Sequence, residues 1–339
     1  MPRASIARLL APAGLLALAA LAWLALRRDA LVVYCAHDAI YSERILKEFE
    51  QRTGISVAIR FDTEATKSLG LAELIQREKE TPRCDVFWNN ELLGMLDLQE
   101  RGLLEPYQGS GFARIPAAFK DPQGHWTGFA ARLRVWISNR RAASAAEDPS
   151  LLTSAATLSR VAIAKPLYGT TFTHYCVLWN AWGGEKLRAW HHDWRRRGVR
   201  EVGGNAAAKD LVAEGVCDLG LTDTDDFFEA KDDGKPVAAQ PVRLENHATI
   251  CIPNTVAIIR GTRRAAAARR LVDFLLSEET ELALAHSKSR QIPLGPVASD
   301  RLPAEVRELV EWAKDGVDLT KLGPARADCL AWLKAEYLR

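Results

Sequence analysis

From Leu31 onward, short apolar runs alternate with amphipathic stretches, and this alternation constrains the fold more than any other feature of the chain. Leu31 to Cys35 reads as a buried strand, and Asp38 is placed to cap a helix carrying Tyr41, Ile45 and Phe49 on one face and closed by Gly54. Ile55, Val57, Ile59 and Phe61 alternate as a second strand. A helix through Leu71, Leu74 and Ile75 follows, then a strand ending at Trp88 and a helix from Glu91 to Arg101 stopped by Gly102. Strands joined by helices run parallel, so this segment predicts a β-α-β-α-β unit with a sheet covered on both faces.

A Pro- and Gly-containing connection, 106–128, leads to a strand over 129–137 and then to a second alternating block. There, strands over 161–164, 199–202 and 217–221 are separated by helices over 170–182, 185–197 and 205–214. A strand over 248–259, an Ala- and Arg-rich helix through Leu276 and helices near 303–315 and 325–337 complete the chain. With 339 residues, 48% of them hydrophobic, the chain can bury a large core and is long enough for two domains.

Residues 1–29 stand apart. Arg3 and Arg8 precede an 18-residue apolar run, 9–26, which Arg27 and Arg28 follow. This is the pattern of an export signal or a retained membrane anchor, and it predicts a periplasmic or otherwise extracytoplasmic location. Removing its four arginines and one aspartate from totals of 45 and 43 leaves 41 basic and 42 acidic residues. Such a balance argues against a nucleic-acid partner. The six cysteines form no CxxC pair, which argues against a zinc ribbon or a dithiol redox site and favours small buried residues.

Polar clusters at strand exits are the site candidates, because open α/β sheets bind ligands at the carboxyl ends of their strands. Thr222, Asp223, Thr224, Asp225 and Asp226 follow the strand over 217–221, and Asn89, Asn90 and Glu91 follow the one ending at Trp88. The carboxylates could offer oxygens to a cation or accept hydrogen bonds from an ammonium or hydroxyl group, with helix capping as the competing role. His37 and Asp38 leave the first strand as a plausible metal pair; His37, Asp225 and Glu91 form the candidate metal set. Gly169, Thr170 and Thr171 open a helix whose free amides suit an anion, and Asn205 opens the next after Gly203-Gly204. Arg132 and Arg134 alternate on the strand over 129–137, where an arginine facing a cleft could pair with an acidic group. Cys35 two residues before His37 admits a thiol-enzyme reading, but G-x-S-x-G, H-E-x-x-H and Gly-rich phosphate loops are missing and no catalytic residue or catalytic cofactor is expected.

Several of these segments, in order, resemble the type II solute-binding proteins of ABC importers, and within them the ferric-ion-binding branch. They are Leu31-Val32-Val33-Tyr34-Cys35-Ala36-His37-Asp38, Phe49-Glu50-Gln51-Arg52-Thr53-Gly54-Ile55, Asp85-Val86-Phe87-Trp88, Arg101-Gly102-Leu103-Leu104, Asn254-Thr255-Val256-Ala257 and Leu271-Val272-Asp273-Phe274-Leu275. The resemblance implies two α/β lobes, each a mostly parallel sheet flanked by helices, with a ligand cleft between them. It assigns 30–133 plus 256–298 to the first lobe and 134–255 plus 299–339 to the second. It also implies a monomer that captures ferric ion, with a phosphate or carbonate anion at the Thr170 turn, and delivers it to an ABC permease and its ATPase. Ferric binders of that branch present adjacent tyrosines at the second-lobe strand exit; here Thr224-Asp225 stands in that place, and Asn90 stands where many relatives carry a carboxylate. An organic solute bearing a phosphate or phosphonate is therefore the alternative cargo. A membrane-tethered sensor built on residues 9–26 is the alternative of another class.

Overall fold

The computed structural model describes residues 30–62, 69–142 and 149–338; the expectations for residues 1–29 fall outside these. Among the described residues no helix is long and apolar enough to cross a membrane.

The first unit forms as its sequence pattern dictates. Strand β1 (Leu31–Cys35) pairs in parallel with β2 (Val57–Phe61) and β3 (Val86–Asn89), so that Val33 faces Ile59 on one side and Val86 on the other. Helix α1 (Ala39–Thr53) connects β1 to β2 and buries Ile45, Leu46 and Phe49 against the sheet. Gly54 ends it at φ 70°, in the left-handed region that favours glycine, and its N–H closes on the Glu50 carbonyl at 2.8 Å. Helix α2 (Leu69–Arg77) returns the chain to β3, and α3 (Leu93–Glu100) leaves it. Each fully buried Phe49 or Leu46 stabilises the packing by about 1.5–3 kcal/mol.

Two long strands join this lobe to the next. After the short β4 (Leu104–Glu105), β5 (Thr127–Asn139) is antiparallel to β10 (Cys251–Ile259) along its first half and to β8 (Leu219–Asp223) along its second. Strand β10 in turn pairs with β3. The strand order is β2-β1-β3-β10-β5-β8-β6-β7, with β6 (Val161–Ala164) and β7 (Arg200–Val202) parallel to β8 or to each other. Ala130 sits at φ 41°, beside the register shift between Pro253 and Asn254, so the shared strands bend where the two half-sheets meet. The fold is thus mixed α/β in two lobes, as expected.

The second lobe wraps its strands with α5 (Gly169–Trp182), α6 (Gly184–Arg196), α7 (Asn205–Ala213) and α8 (Thr224–Asp232), after the short α4 (Pro149–Thr153). The short β4 and α4 and the strand β9 (Val237–Pro241), which pairs with β5, were not anticipated, nor was α10 (Glu278–Ala285), which follows β10 and α9 (Ala265–Leu275). Helices α11 (Ala304–Ala313) and α12 (Gly323–Tyr337) close the chain. All six cysteines are buried, as their spacing suggested, and none is joined in a disulfide.

Candidate functional site

Parallel strands with helices at their carboxyl ends bring helix N-termini together. The exits of β6, β7 and β8 deliver Gly169, Asn205 and Asp223 to one side of a cavity of ≈310 Å³. The exit of β1, with Asp38, Ala39, Ile40 and Tyr41, forms the opposite side, and Asn90 and Arg132 lie between. The cavity therefore lies between the lobes, where the folding pattern placed the cleft.

At its centre is a buried ion network. Asp223, 3% exposed, accepts hydrogen bonds from Arg134 Nη1 at 2.7 Å, Thr170 Oγ1 at 2.6 Å and Asn205 Nδ2 at 3.0 Å, with Arg132 Nε at 3.4 Å. Burial alone would raise the Asp223 pKa, but the charges of Arg134 and Arg132 outweigh it and hold the carboxyl below the usual carboxylate range. Arg134 also donates to Thr170 Oγ1, Asn205 Oδ1 and Thr171 Oγ1 at 3.2–3.3 Å. The same threonines and asparagine that suggested an anion turn are thus bound to one another and to a carboxylate of the chain itself.

Arg132 is the exception. Its Nη2 donates to the Asn90 carbonyl at 2.6 Å, its Nε lies 3.7 Å from Asp225 Oδ2, and its Nη1 is buried without a hydrogen-bond partner. Burial lowers its pKa, yet the charges of Asp225, Asp223 and Asp38 more than compensate and keep the guanidinium protonated. Near it converge the first-turn amides of α5 and α7, which no preceding turn can satisfy. Gly169 opens α5 at φ 56°, a conformation that costs any other residue energy.

Four further carboxyl-bearing residues line the cavity. Asp225, Asp226 and Glu229 from α8 face Asp38 of the first lobe across the cavity, and one ligand atom from each of Asp223, Asp225 and Asp226 falls within 4.8 Å of the others. Burial and then the negative charges of Asp225 and Glu229 push the Tyr41 phenol well above its ordinary value, so it stays protonated. Tyr41, Lys165 and Glu229 line the cavity although the sequence reading did not select them as ligand residues. Only their three-dimensional convergence marks them.

Several expected residues point elsewhere. His37 is buried against Trp88 and Tyr41, with its Nε2 3.1 Å from Gln291 Nε2, and does not line the cavity. Glu91 turns back on its own helix: its Oε1 accepts from Gly94 N at 2.8 Å and its Oε2 from Leu93 N at 2.5 Å, the capping role that competed with metal ligation. Asn89 donates to Glu91 Oε1 at 3.0 Å and is fully buried. Thr222 donates to Asp226 at 2.6 Å, and Thr224 accepts from Leu133 N at 3.3 Å; both hold the backbone behind the cavity. His37, Asp225 and Glu91 are therefore not brought together as a metal set, whereas Asp38, Asn90, Arg132, Gly169, Thr170, Thr171, Asn205, Asp223 and Asp225 do share one cavity.

Residues 31–287 match the family described as bacterial extracellular solute-binding protein. The chain belongs to that family. Among relatives of this solute-binding protein, Iron uptake protein A1 of Synechocystis sp. is 25% identical over 307 residues, 87% of this chain and 83% of its own. The fold is shared with iron-bound HitA from Pseudomonas aeruginosa, at a TM-score of 0.79 and 21% identity over 90% of this chain and 98% of that one. It is shared equally with AfuA from Actinobacillus pleuropneumoniae with fructose-6-phosphate bound, at a TM-score of 0.75 and 20% identity over 91% and 98%. Members of such a family carry solutes rather than transform them.

Proposed function

We propose that this solute-binding protein captures a small organic solute bearing a phosphate or phosphonate group outside the cytoplasm and delivers it to an ABC permease with its ATPase. The observation that carries this reading is the mixed lining of the cavity. It offers donors suited to an anion, the first-turn amides of α5 and α7 and the Arg132 guanidinium. It also offers Asp225, Asp226, Glu229 and Asp38 as acceptors for hydroxyl or ammonium groups. A volume of ≈310 Å³ exceeds what a metal ion with one small anion needs. The lobe assignment, 30–133 plus 256–298 and 134–255 plus 299–339, and the monomeric state belong to the same proposal.

Ferric ion with an accompanying anion is the second reading, supported by the three convergent carboxylates and by the iron-related relatives. Against it, Asp223 already neutralises Arg134, and Arg132 brings a positive charge within 3.7 Å of Asp225. Thermal unfolding of the purified protein with fructose 6-phosphate, phosphonates, inorganic phosphate and ferric citrate separates the readings. A ligand at a hundredfold its dissociation constant stabilises by about 2.7 kcal/mol. A shift with phosphorylated organics alone is expected; a shift with ferric citrate alone would overturn the leading reading in favour of iron.

A further inference from the structure

The C-terminal helix α12 lies beyond the segment that matches the family, and it meets the two lobes through different chemistry. Against α5 of the second lobe its contact is apolar. Trp332 lies 6.4 Å from Tyr175 and 5.8 Å from Trp179, Cys329 and Leu333 are fully buried, and the thiols of Cys176 and Cys329 meet. The Tyr337 hydroxyl donates to Glu201 in β7 and lies 3.2 Å from His191 Nε2. Separating such a face would return its aromatic area to water, so α12 moves with the second lobe.

Against the first lobe the contact is charged. Arg326 Nη1 donates to Asp97 Oδ1 at 2.7 Å and its Nη2 to Glu100 Oε2 at 2.7 Å, both acceptors standing on α3. Lys334 Nζ lies 3.7 Å from Glu73 on α2. Arg326 is only 8% exposed, and a cavity of ≈420 Å³ lies beside these pairs, lined by Arg326, Leu330 and Lys334 of α12 and by Glu73, Asp97 and Glu100 of α2 and α3. Charged groups beside such a space can exchange one another for water far more readily than stacked aromatics can.

We propose that Arg326 is a positioning residue for solute capture: by pairing with Asp97 and Glu100 it clasps α12, and with it the second lobe, onto the first and holds the cleft closed. The clasp rests on the two-lobed arrangement and not on which solute fills the cleft. Loss of the clasp lowers the closed fraction, and apparent solute affinity falls in the same proportion.

Small-angle X-ray scattering of the solute-free protein at low salt and in 0.5 M NaCl tests this directly. Arg326→Ala is expected to shift the radius of gyration upward at low salt, and salt is expected to expand the unsubstituted protein toward the same value. Arg326→Lys, which keeps the charge but not the forked geometry, is expected to fall between them. Circular dichroism checks that each variant folds; if Arg326→Ala does not, Asp97→Asn with Glu100→Gln removes the same pairs from the other side and must expand the protein equally. Folded variants whose scattering matches the unsubstituted protein at both salt concentrations would overturn the clasp. Fructose 6-phosphate and ferric citrate serve as binding probes, and each bound probe is expected to weaken severalfold in Arg326→Ala. Expansion of the variant, even where the unsubstituted protein binds neither probe, upholds the clasp and refutes only the assignment of solute.

Discussion

The two walls of the cleft are built from the same strand-then-helix unit, yet they treat their polar residues in opposite ways. On the second-lobe wall the charges meet one another: Asp223 at the end of β8 lies between Arg132 and Arg134 of β5 and the first-turn residues Thr170 of α5 and Asn205 of α7. On the first-lobe wall, His37 and Asn89 turn into their own lobe and Glu91 caps its own helix while accepting from Thr173 of α5 at 3.3 Å, leaving Asp38, Tyr41 and Asn90 at the cavity. A polar strand exit is thus only a place where a site can form. The site forms where that exit meets charged residues from a strand shared between lobes.

The sharpest way to break this contrast is to remove one charge from the second wall. Arg134→Met leaves Asp223 buried beside Arg132 alone, and the loss of a buried partner is expected to cost about 3–5 kcal/mol, read as a fall in unfolding free energy in urea. Asp223→Asn combined with Arg134→Met removes the stranded charge and should recover part of that loss. If Arg134→Met alone costs less than about 1 kcal/mol, the network is peripheral to stability and the contrast between walls fails. A smaller effect is expected at the mouth of α5. Gly169→Ala meets no neighbouring atom, so the left-handed backbone alone penalises it, by about 1–2 kcal/mol. Because that turn also aims the α5 amides, solute affinity should fall with stability; an unchanged affinity would detach the turn from binding.

Much of the fold was legible because helix and strand periods differ and the glycine stop after α1 is explicit, although Asp38 makes no side-chain capping bond to α1. The span of β1 and β6, the glycine stop after α1 and the order of the two alternating blocks follow from local sequence. What escaped notice lacked local contrast. Strand β9 reads Val-Ala-Ala-Gln-Pro, with neither strict alternation nor a branched core, and becomes a strand only because β5 offers a free edge. Helix α10 buries the charged Glu281, which accepts the Ala130 and Leu294 amides at 3.0 and 2.8 Å, so its face does not look apolar. In the site, the alternation of Arg132 and Arg134 and the anion turn were visible. Their mutual satisfaction through Asp223 was not, because it joins residues as many as 91 positions apart.

The smallest expected effect falls on the first wall and completes the contrast. Burial raises the Glu91 pKa above its ordinary value even though the Gly94 and Leu93 amides, Asn89 and Thr173 oppose the rise. A carboxyl raised on folding contributes most to stability when protonated, below the unfolded value of about 4.3, and that contribution is lost as pH rises through the folded value. Glu91→Gln gives up the buried charge while leaving one of the two amides without its acceptor, and these terms offset. The substitution is expected to change stability at pH 7 by about 1 kcal/mol or less and to remove this residue's share of the gain toward acid, measured as melting temperature from pH 4 to 8. It should leave solute affinity untouched. A loss of binding in Glu91→Gln, with the fold intact, would instead restore Glu91 to the cleft and make the two walls equivalent.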